Sequence, residues 1–361
     1  ITHKIWWKLM SDLKNYIIVG VITGIILYYA GLDMFSNKIQ IIEAKDIQKT
    51  SASSSYSSTV EKVNQSVVSI YTKKTYENNI FFIDPRERRL KRREAVPSGQ
   101  GSGVVVSSNG YIITNFHVIQ GSNEILVRDS NGNDHQTSVI GYDFLTDLAV
   151  IKINDNLKPI TFGKIENVRV GDISLAIGNP LGVGQTITLG IVSATDKEIS
   201  PEAYSYQRYV QTDAAINPGN SGGALVNSNG ELIGINTMIS TLGGGSDGIG
   251  FAIPVDIVKY VFTQIIENGE VIRGFVGIIS NPNYRGDGVM ISGVYNGGPG
   301  QKANMRGGDI IKKVNDKKVN KIKDMQDIIG KSKPGDLVSF QIQRNSDILN
   351  INVEVEKMPK L

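Results

Sequence analysis

Short apolar runs separated by turn residues dominate the hydrophobic pattern between residues 60 and 254. The runs are rich in β-branched residues, and Asn-Gly pairs join neighbouring runs at Asn109-Gly110 and Asn229-Gly230. Paired runs of this kind predict β-hairpins with tight turns. No long amphipathic period precedes Val255, so the pattern predicts antiparallel barrels or a sandwich and argues against alternating strands and helices.

The pattern changes after residue 254. Val255–Gly269 spaces its apolar residues like an amphipathic helix and ends at a glycine, as expected of a connecting helix packed on the preceding barrel. From Arg273 onward the pattern predicts two strands, a short helix before Gly307-Gly308, a strand, a helix around residues 323–330 and two closing strands. A segment of this size is sufficient for one small domain.

An uncharged apolar segment, Tyr16–Leu32, lies near the N-terminus. Its length of about 17 residues is at the short end for a membrane-spanning helix. Lys4, Lys8 and Lys14 precede it, so the positive-inside rule places the N-terminus in the cytoplasm and the bulk of the chain outside. The alternatives are a cleaved signal peptide, for which Ala30-Gly31 offers small residues, and a buried core helix.

The segment Thr50–Thr59 is serine-rich and lacks an apolar period, which is typical of a flexible spacer. The predicted organisation is therefore a cytoplasmic segment, a transmembrane helix, a linker and two folded domains, at residues 1–15, 16–32, 33–59, 60–270 and 271–361.

Composition narrows the chemistry. The chain contains no cysteine, which excludes a thiol nucleophile, a disulfide framework and a thiolate metal site. Basic residues number 38 and acidic residues 35, for a formal net charge of +3. This balance gives no electrostatic reason to expect nucleic acid as a partner.

One loop, Asn217–Gly223, surrounds Ser221 with glycines and a proline in the sequence NPGNSGG. A nucleophilic hydroxyl must be exposed while backbone N–H groups point at the oxygen that becomes negative, and glycine permits that close approach. Gly219 and Ser221 are the expected donors, and the candidate oxyanion hole comprises Gly219, Asn220 and Ser221. Taken alone, the loop is equally compatible with an ordinary hairpin turn.

A nucleophilic serine needs a base, and the chain offers three histidines. His3 precedes the apolar N-terminal segment, and His135 follows a polar turn, where a solvated surface position is expected. His117 follows the strand-like run YIITNF and precedes Val118-Ile119, so one edge of its ring can face a cleft while its flanks are packed. Elimination therefore indicates His117 as the base, because a neutral imidazole can accept and return a proton.

The base in turn needs an acceptor that fixes its tautomer. Asp147 heads the apolar run LAVIKI, where an unpaired carboxylate would be costly, and it is the candidate acceptor. The structural alternative is a capped turn before a strand. Asp143 and Asp213 are the nearest competing carboxylates.

These residues carry a family resemblance. Over residues 60–357 the chain resembles the HtrA/Deg family of trypsin-like serine proteases, in the strings GSGVVVSSNGYIITNFHVI, TDLAVIKI, AIGNPLG, TITLGIVSAT, QTDAAINPGNSGGALVN and GIGFAIP. The resemblance implies a mainly β fold with a chymotrypsin-like double β-barrel. It also implies His117, Asp147 and Ser221 as the catalytic triad, assembly as a homotrimer, and neither a metal nor a cofactor.

The resemblance extends to the substrate pocket. Trypsin-type enzymes place an acid six residues before the serine to bind lysine or arginine, whereas this chain has Ala215 there. We expect a small apolar pocket at Ala215 and Ile216, and cleavage after small aliphatic residues such as valine or alanine. Ile235, Asn236 and Thr237 are expected to complete the pocket and to pair with the substrate backbone as an added strand.

The second domain resembles a single PDZ domain. Its carboxylate-binding loop would be RGFVG, followed by the motif GPGQKANMRGGDIIKKVNDKKV. Backbone N–H groups of such a loop bind a C-terminal carboxylate while the peptide adds to a sheet edge. Asn304 stands where the family has glycine, and asparagine tolerates a left-handed backbone. The predicted peptide-binding residues are Arg273, Gly274, Phe275, Val276 and Gly277.

One span, one protease domain and one PDZ domain resemble the family members that sense envelope stress from the bacterial inner membrane, with both folded domains in the periplasm. This layout implies C-terminal peptides of misfolded outer-membrane proteins as activators and an anti-sigma factor as the protein substrate. Lys197 falls where those members carry an activating arginine. The alternatives are a general periplasmic quality-control protease and a non-catalytic peptide-binding scaffold, which the intact triad disfavours.

Overall fold

The computed structural model describes residues 55–74, 81–83, 90–92, 96–179, 184–198, 208–237 and 248–359. The predicted cytoplasmic segment and transmembrane helix, and most of the predicted linker, lie outside these ranges. Among the described residues, no helix has the length and apolar character needed to cross a membrane.

The first barrel contains β1 Val67–Lys74, β4 Val96–Val105, β5 Tyr111–Asn115, β6 Glu124–Arg128, β7 Asp134–Asp143 and β8 Leu148–Ile153. These strands close in the order β1-β4-β5-β8-β7-β6, and every pairing is antiparallel. A short hairpin, β2 Phe81–Ile83 with β3 Leu90–Arg92, is inserted between β1 and β4. The inward residues form an aliphatic core around Ile70, Ile112 and Ile151, which are completely buried.

The second barrel contains β9 Thr161–Phe162, β10 Ile173–Gly178, β11 Thr186–Glu198, β12 Arg208–Thr212, β13 Ala224–Asn227, β14 Glu231–Thr237 and β15 Gly250–Pro254. A 3₁₀ turn, Ile165–Asn167, follows β9. Because β13 pairs with both β10 and β14, the antiparallel ring β13-β10-β11-β12-β15-β14 closes, and β9 adds to β14 in parallel. The antiparallel barrels predicted from the apolar pattern are thus confirmed.

A helix, α1 Ser57–Asn64, precedes the first barrel. It starts inside the segment predicted as a flexible spacer, so that prediction is wrong for its last residues. The Thr59 hydroxyl donates to the Ser228 carbonyl at 2.8 Å, and Val63 is buried against the β13–β14 turn. These contacts tie α1 to the second barrel.

The predicted connecting helix is present as α3 Val255–Asn268, while a one-turn helix, α2 Phe116–Ile119, follows β5. Val258, Phe262 and Ile265 of α3 are buried. Gly269 ends α3 in a left-handed conformation and donates its N–H to the Ile265 carbonyl at 2.9 Å. A Cβ added at Gly141 of β7 would lie 2.8 Å from the Gly269 carbonyl oxygen, so glycine is what lets β7 approach the helix end.

The second domain has its own core around Ile311, Phe340 and Ile342. Its elements are β16 Gly274–Phe275, β17 Ile278–Ser280, β18 Val289–Val294, α4 Pro299–Lys302, β19 Ile310–Val314, β20 Lys317–Lys318, α5 Ile322–Lys331, β21 Leu337–Arg344, β22 Asp347–Glu354 and β23 Glu356–Lys357. The main sheet has the order β17-β18-β19-β21-β22, with β20 paired to β19 and β16 paired to β23. Asn304 has φ +65°, the left-handed conformation expected for it.

Charged side chains join the second domain to the barrels. Arg273 makes two hydrogen bonds to the Asp143 carboxylate, at 2.6 and 2.7 Å, and the two side chains are only 5% and 7% exposed. Removing one partner of such a buried pair costs about 3–5 kcal/mol because it leaves an uncompensated charge. At the rim, Lys323 of α5 pairs with Asp196 at the end of β11, and Asp196 also contacts Arg208.

Candidate active site

His117 and Asp147 meet at one end of the first barrel. The chain leaves β5 into α2, which carries His117, and Asp147 occupies the turn that enters β8. The Asp147 carboxylate accepts the His117 backbone N–H at 2.9 Å and lies 2.6 Å from Nδ1 of the ring. A carboxylate at Nδ1 leaves Nε2 as the nitrogen that can accept a proton.

The turn that presents Asp147 is strained. Asp147 has φ +56°, an uncommon conformation for a residue with a side chain. Its backbone is held by hydrogen bonds, since the carbonyl accepts the Asn115 side-chain amide and the Phe116 N–H, both at 3.0 Å. The strained turn therefore fixes Asp147 relative to the imidazole.

The second barrel reaches the same carboxylate. The Thr237 hydroxyl, at the end of β14, donates to Asp147 Oδ2 at 3.4 Å. Burial, together with the negative charge of Asp147, raises the pKa of Tyr209 to about 12, so this tyrosine remains neutral. Residues of both barrels therefore surround the His117–Asp147 pair.

The serine loop is held by β4. The Ser102 hydroxyl donates to the Gly219 carbonyl at 2.6 Å, and the Ser102 N–H donates to the Ser221 carbonyl at 2.8 Å. Gly222 has φ +81°, and a Cβ there would lie 2.2 Å from the Ser102 carbonyl oxygen. Ser221 Oγ is buried and has no hydrogen-bond partner among the described residues.

The backbone of the serine loop distinguishes the expected oxyanion donors from the residue between them. Gly219 has φ +99°, and within the described residues the N–H groups of Gly219 and Ser221 donate to no backbone carbonyl. In contrast, the Asn220 N–H donates to the Asn217 carbonyl at 3.0 Å. Asn220 therefore belongs to the candidate oxyanion hole only as the residue between the two expected donors, because its own N–H already has an acceptor.

A cleft of about 200 Å³ lies between the segment that carries His117 and the serine loop. His117, Gly219 and Ser221 line it together. The base candidate, the serine and an oxyanion donor thus face one cavity, whose other lining residues are Thr72, Gly99, Gln100, Val118, Gln120, Ser122 and Pro218.

The predicted substrate pocket is only partly accessible. Ala215 is half-buried, while Ile216 is buried and would contact a Cβ placed at Gly250. Asn236 donates its N–H to the Gly223 carbonyl and accepts the Gly222 N–H, both at 2.9 Å. Ile235 pairs with β13 on one side and β15 on the other.

The predicted added strand is therefore wrong for Ile235 and Asn236, because barrel closure occupies both sides of β14 there. Thr237 is the last described residue of this segment.

The competing carboxylates are engaged elsewhere. Asp143 accepts hydrogen bonds from Arg273 and from the Thr146 hydroxyl. Asp213 Oδ1 accepts the Ile191 N–H at 2.6 Å. Neither is bonded to His117.

His135 does not lie on a solvated surface, so that expectation is corrected. Its side chain is only 11% exposed and lies between two carboxylates, with Nε2 3.1 Å from Asp129 and Nδ1 2.8 Å from Asp155. Burial lowers the pKa of His135, but the hydrogen bonds to Asp129 and Asp155 outweigh it, so the net pKa is raised. The polar turn before His135 gave no signal of this site, because Asp155 follows β8, 20 residues further on.

The predicted peptide-binding loop begins at the domain boundary. Arg273 directs its guanidinium to Asp143 and its carbonyl accepts the Met358 N–H at 2.9 Å, while Gly274-Phe275 forms β16 and pairs with β23. Within the described residues, the N–H groups of Val276 and Gly277 donate to no backbone carbonyl. Within the same ranges β17, which follows, pairs only with β18 and is an edge strand.

Lys197, the predicted regulatory residue, lies exposed near the end of β11, opposite Tyr209 of β12. The neighbouring Asp196 makes the contact with Lys323 of α5. Sequence reasoning missed Asp196, since its partner is 127 residues away.

Comparison with known proteins identifies both domains. Residues 101–235 match the trypsin-like peptidase domain, and residues 274–355 match the PDZ domain. The serine endoprotease DegS of Haemophilus influenzae is 42% identical over 263 residues, which cover 72% of this chain and 77% of that protein.

Longer relatives and solved structures agree. A probable periplasmic serine endoprotease, DegP-like, of Chlamydia muridarum is 39% identical over 292 residues; these cover 78% of this chain but only 59% of that relative. The structure of the HtrA-type protease AlgW with a decapeptide has a TM-score of 0.75 and 38% identity, and the match covers 85% of this chain and 100% of that one. With a trypsin-like peptidase domain followed by a PDZ domain, this chain belongs to the HtrA/Deg family of serine endoproteases.

Proposed function

We propose that His117, Asp147 and Ser221 act as a catalytic triad. The observation that carries this proposal is the bonding of the Asp147 carboxylate to both the backbone N–H and Nδ1 of His117, beside a cleft that also contains Ser221. The missing hydrogen bond at Ser221 Oγ does not weigh against it, because catalytic hydrogen bonds often form only with substrate bound.

In this mechanism Ser221 Oγ attacks the carbonyl carbon of the scissile peptide bond while its proton passes to Nε2 of His117. The carbonyl electron pair moves onto oxygen, and the N–H groups of Gly219 and Ser221 stabilise the oxyanion. Collapse breaks the C–N bond, and His117 returns the proton to the leaving amine. Water then attacks the acyl-enzyme by the same proton transfers and releases Ser221.

The pocket favours a small aliphatic side chain before the scissile bond. Ala215 provides no charge for a basic side chain, and the buried side chain of Ile216 limits the space beside Gly250. We expect efficient cleavage after valine or alanine. Matched peptides that differ only in valine or arginine at this position test the preference, and equal kcat/KM values would contradict it.

The proposed physiological role is regulated cleavage at the bacterial inner membrane. Residues 16–32 would anchor the chain, with the protease and PDZ domains in the periplasm, and three copies would assemble. The PDZ domain would bind C-terminal peptides of misfolded outer-membrane proteins, and the protease would cut an anti-sigma factor. The similarity to DegS supports this role, as do the N–H groups of Val276 and Gly277, which donate to no backbone carbonyl within the described residues.

General periplasmic quality control is the second candidate, because several relatives are DegP-like. Cleavage of a casein-like protein and of a periplasmic anti-sigma domain, with and without a porin-like C-terminal peptide, separates the two roles. Peptide-dependent cleavage confined to the anti-sigma domain supports regulation. Peptide-independent degradation of both supports quality control, and Ser221→Ala provides the blank in every condition.

A further inference from the structure

A buried serine of the first barrel, Ser102 in β4, contacts the second barrel through its side chain as well as its backbone. Its hydroxyl donates to the Gly219 carbonyl of the serine loop at 2.6 Å and accepts the Asn179 N–H at 2.8 Å. Asn179 directly follows β10 of the second barrel. Ser102 is completely buried, so both bonds are shielded from competing solvent.

The direction of these two hydrogen bonds is fixed by the groups that form them. A backbone N–H can only donate and a carbonyl can only accept, whereas a hydroxyl has one proton and two lone pairs. The Ser102 hydroxyl therefore accepts from Asn179 and directs its single proton at Gly219. Ser102→Ala would leave a buried N–H and a buried carbonyl without this partner.

The connection continues to β1. The Ser69 hydroxyl donates to the Asn179 carbonyl at 2.9 Å. Ser69 is completely buried and Asn179 is 6% exposed. Two hydroxyls of the first barrel thus hold the backbone of Asn179, and one of them also holds the serine loop. We refer to Ser69, Asn179, Ser102 and Gly219 as the hydroxyl bridge.

The hydroxyl bridge ends on the peptide group between the two expected oxyanion donors. This group consists of the Gly219 carbonyl and the Asn220 N–H, and the N–H donates to the Asn217 carbonyl at 3.0 Å. Two residues later, the Ser221 carbonyl accepts the Ser102 N–H at 2.8 Å. The peptide groups that carry the N–H of Gly219 and of Ser221 therefore each adjoin a peptide group that is fixed.

Gly219 is the point of the serine loop where this restraint matters most. Its φ is +99°, and glycine adopts many backbone conformations, so the chain there can rotate unless its carbonyl is held. A hydrogen-bond donor stabilises an oxyanion best when it is already oriented before the charge develops. Because Ser102 belongs to the barrel that carries His117, its hydroxyl also fixes this donor relative to the base.

We propose that Ser102 is a positioning residue whose hydroxyl orients the Gly219 N–H for stabilisation of the oxyanion. The proposal rests on the proposed triad and oxyanion donors, since these place the oxyanion. It assigns two functions to one residue: the backbone N–H of Ser102 holds Ser221, and the hydroxyl holds the oxyanion donor.

Ser102→Ala in the full chain separates these functions, because it removes the hydroxyl and keeps the backbone N–H. On a valine peptide, kcat should fall by about 10²-fold, the scale of one lost oxyanion donor, while KM changes by less than about 2-fold. The dissociation constant of a valine peptide boronate, which mimics the tetrahedral intermediate, should rise by a similar factor. The pH profile of kcat/KM should keep its midpoint, because the contact between His117 and Asp147 is unaltered.

Ser174→Ala is the matched control. Ser174 is also a completely buried strand serine, and its hydroxyl lies 2.8 Å from the Thr212 hydroxyl, away from the serine loop. Its thermal unfolding midpoint should fall as in Ser102→Ala, while kcat and boronate affinity stay at the wild-type level. Equal losses of kcat in the two variants would overturn the proposal, as would a Ser102→Ala defect confined to KM.

Ser69→Ala tests the other end of the hydroxyl bridge and decides the matter if Ser102→Ala does not fold. It removes one hydrogen bond to Asn179, so kcat should fall by about 3- to 10-fold. The double variant should be no slower than Ser102→Ala, because both changes act on one connection. Unchanged kcat in Ser69→Ala, or losses that multiply in the double variant, would overturn the bridge. Activity that survives Ser221→Ala would instead refute the triad, so the two failures are distinguishable.

Discussion

The two histidines of the first barrel, His117 and His135, are bonded to aspartate in different ways. His117 meets one carboxylate at Nδ1, is 41% exposed and lines the cleft that contains Ser221. His135 meets a carboxylate at each ring nitrogen and is 11% exposed. A histidine–aspartate pair is thus available for proton transfer only when its second nitrogen is left open.

The comparison of His117 with His135 predicts a catalytic role for the first and a stabilising role for the second. The imidazole between two carboxylates, His135, has a raised pKa and ties three chain segments together. An imidazole with one carboxylate and one open nitrogen can exchange a proton with a substrate. Each histidine can therefore be altered with a different expected readout.

The largest expected effect is on catalysis at His117. His117→Ala removes the proposed base and should lower kcat by about 10⁶-fold, the scale observed when a triad member is lost. Initial rates on a valine peptide measure the loss. His135→Ala is the matched control, and comparable losses of activity in both variants would abolish the distinction between the two sites.

A smaller effect on kcat is expected at Asp147, the carboxylate that contacts His117. Asp147→Asn should lower kcat by about 10⁴-fold, because an amide N–H opposite Nδ1 favours the wrong tautomer of His117. The matched change, Asp129→Asn, should spare kcat and lower the free energy of unfolding. Unchanged kcat in Asp147→Asn would indicate that the pair only supports the turn.

The next effect is on stability at His135. His135→Gln should lower the free energy of unfolding by about 1–3 kcal/mol, because buried hydrogen-bonding groups lose a partner. Since the pKa of His135 is raised from 6.5, the charged ring stabilises the fold below that pH, and the contribution is lost as the pH rises through the folded-state value. The pKa of Asp129 is lowered from 3.8, so its contribution is lost only in acid.

The stability difference between wild type and His135→Gln should therefore be largest near about pH 5–6 and smaller at about pH 9. Chemical denaturation across this range measures it. A difference that grows with pH would mean that His135 is neutral in the folded protein.

The smallest effect on the free energy of unfolding is expected at Asp155, the more exposed of the two carboxylates that contact His135. Asp155 is 62% exposed, so its pair with His135 is screened by water. Asp155→Asn should cost less than about 1 kcal/mol, the range of exposed ion pairs. If Asp155→Asn lowered the free energy of unfolding as much as Asp129→Asn does, the exposed fraction of each carboxylate would not explain its contribution to stability.

Much of this architecture is predictable from local sequence. Alternating apolar runs and Asn-Gly turns determine the hairpins, and the glycines around Ser221 together with the few histidines led to the candidate triad. Contacts between distant segments carry no such signal. The Asp143–Arg273 pair spans 130 residues. Asn236 is unavailable for a substrate strand because β14 is paired within the second barrel, which depends on the strand that closes that barrel.

The division of the site between two barrels has a consequence for the timing of synthesis. His117 and Asp147 precede β9, whereas Ser221 directly precedes β13, and Ser102 of the first barrel holds the serine loop. Chains are made from the N-terminus, and their domains generally fold as they emerge. A nascent chain therefore assembles the proposed base before the proposed nucleophile has been made, and on this assignment it gains proteolytic activity only once the second barrel has closed.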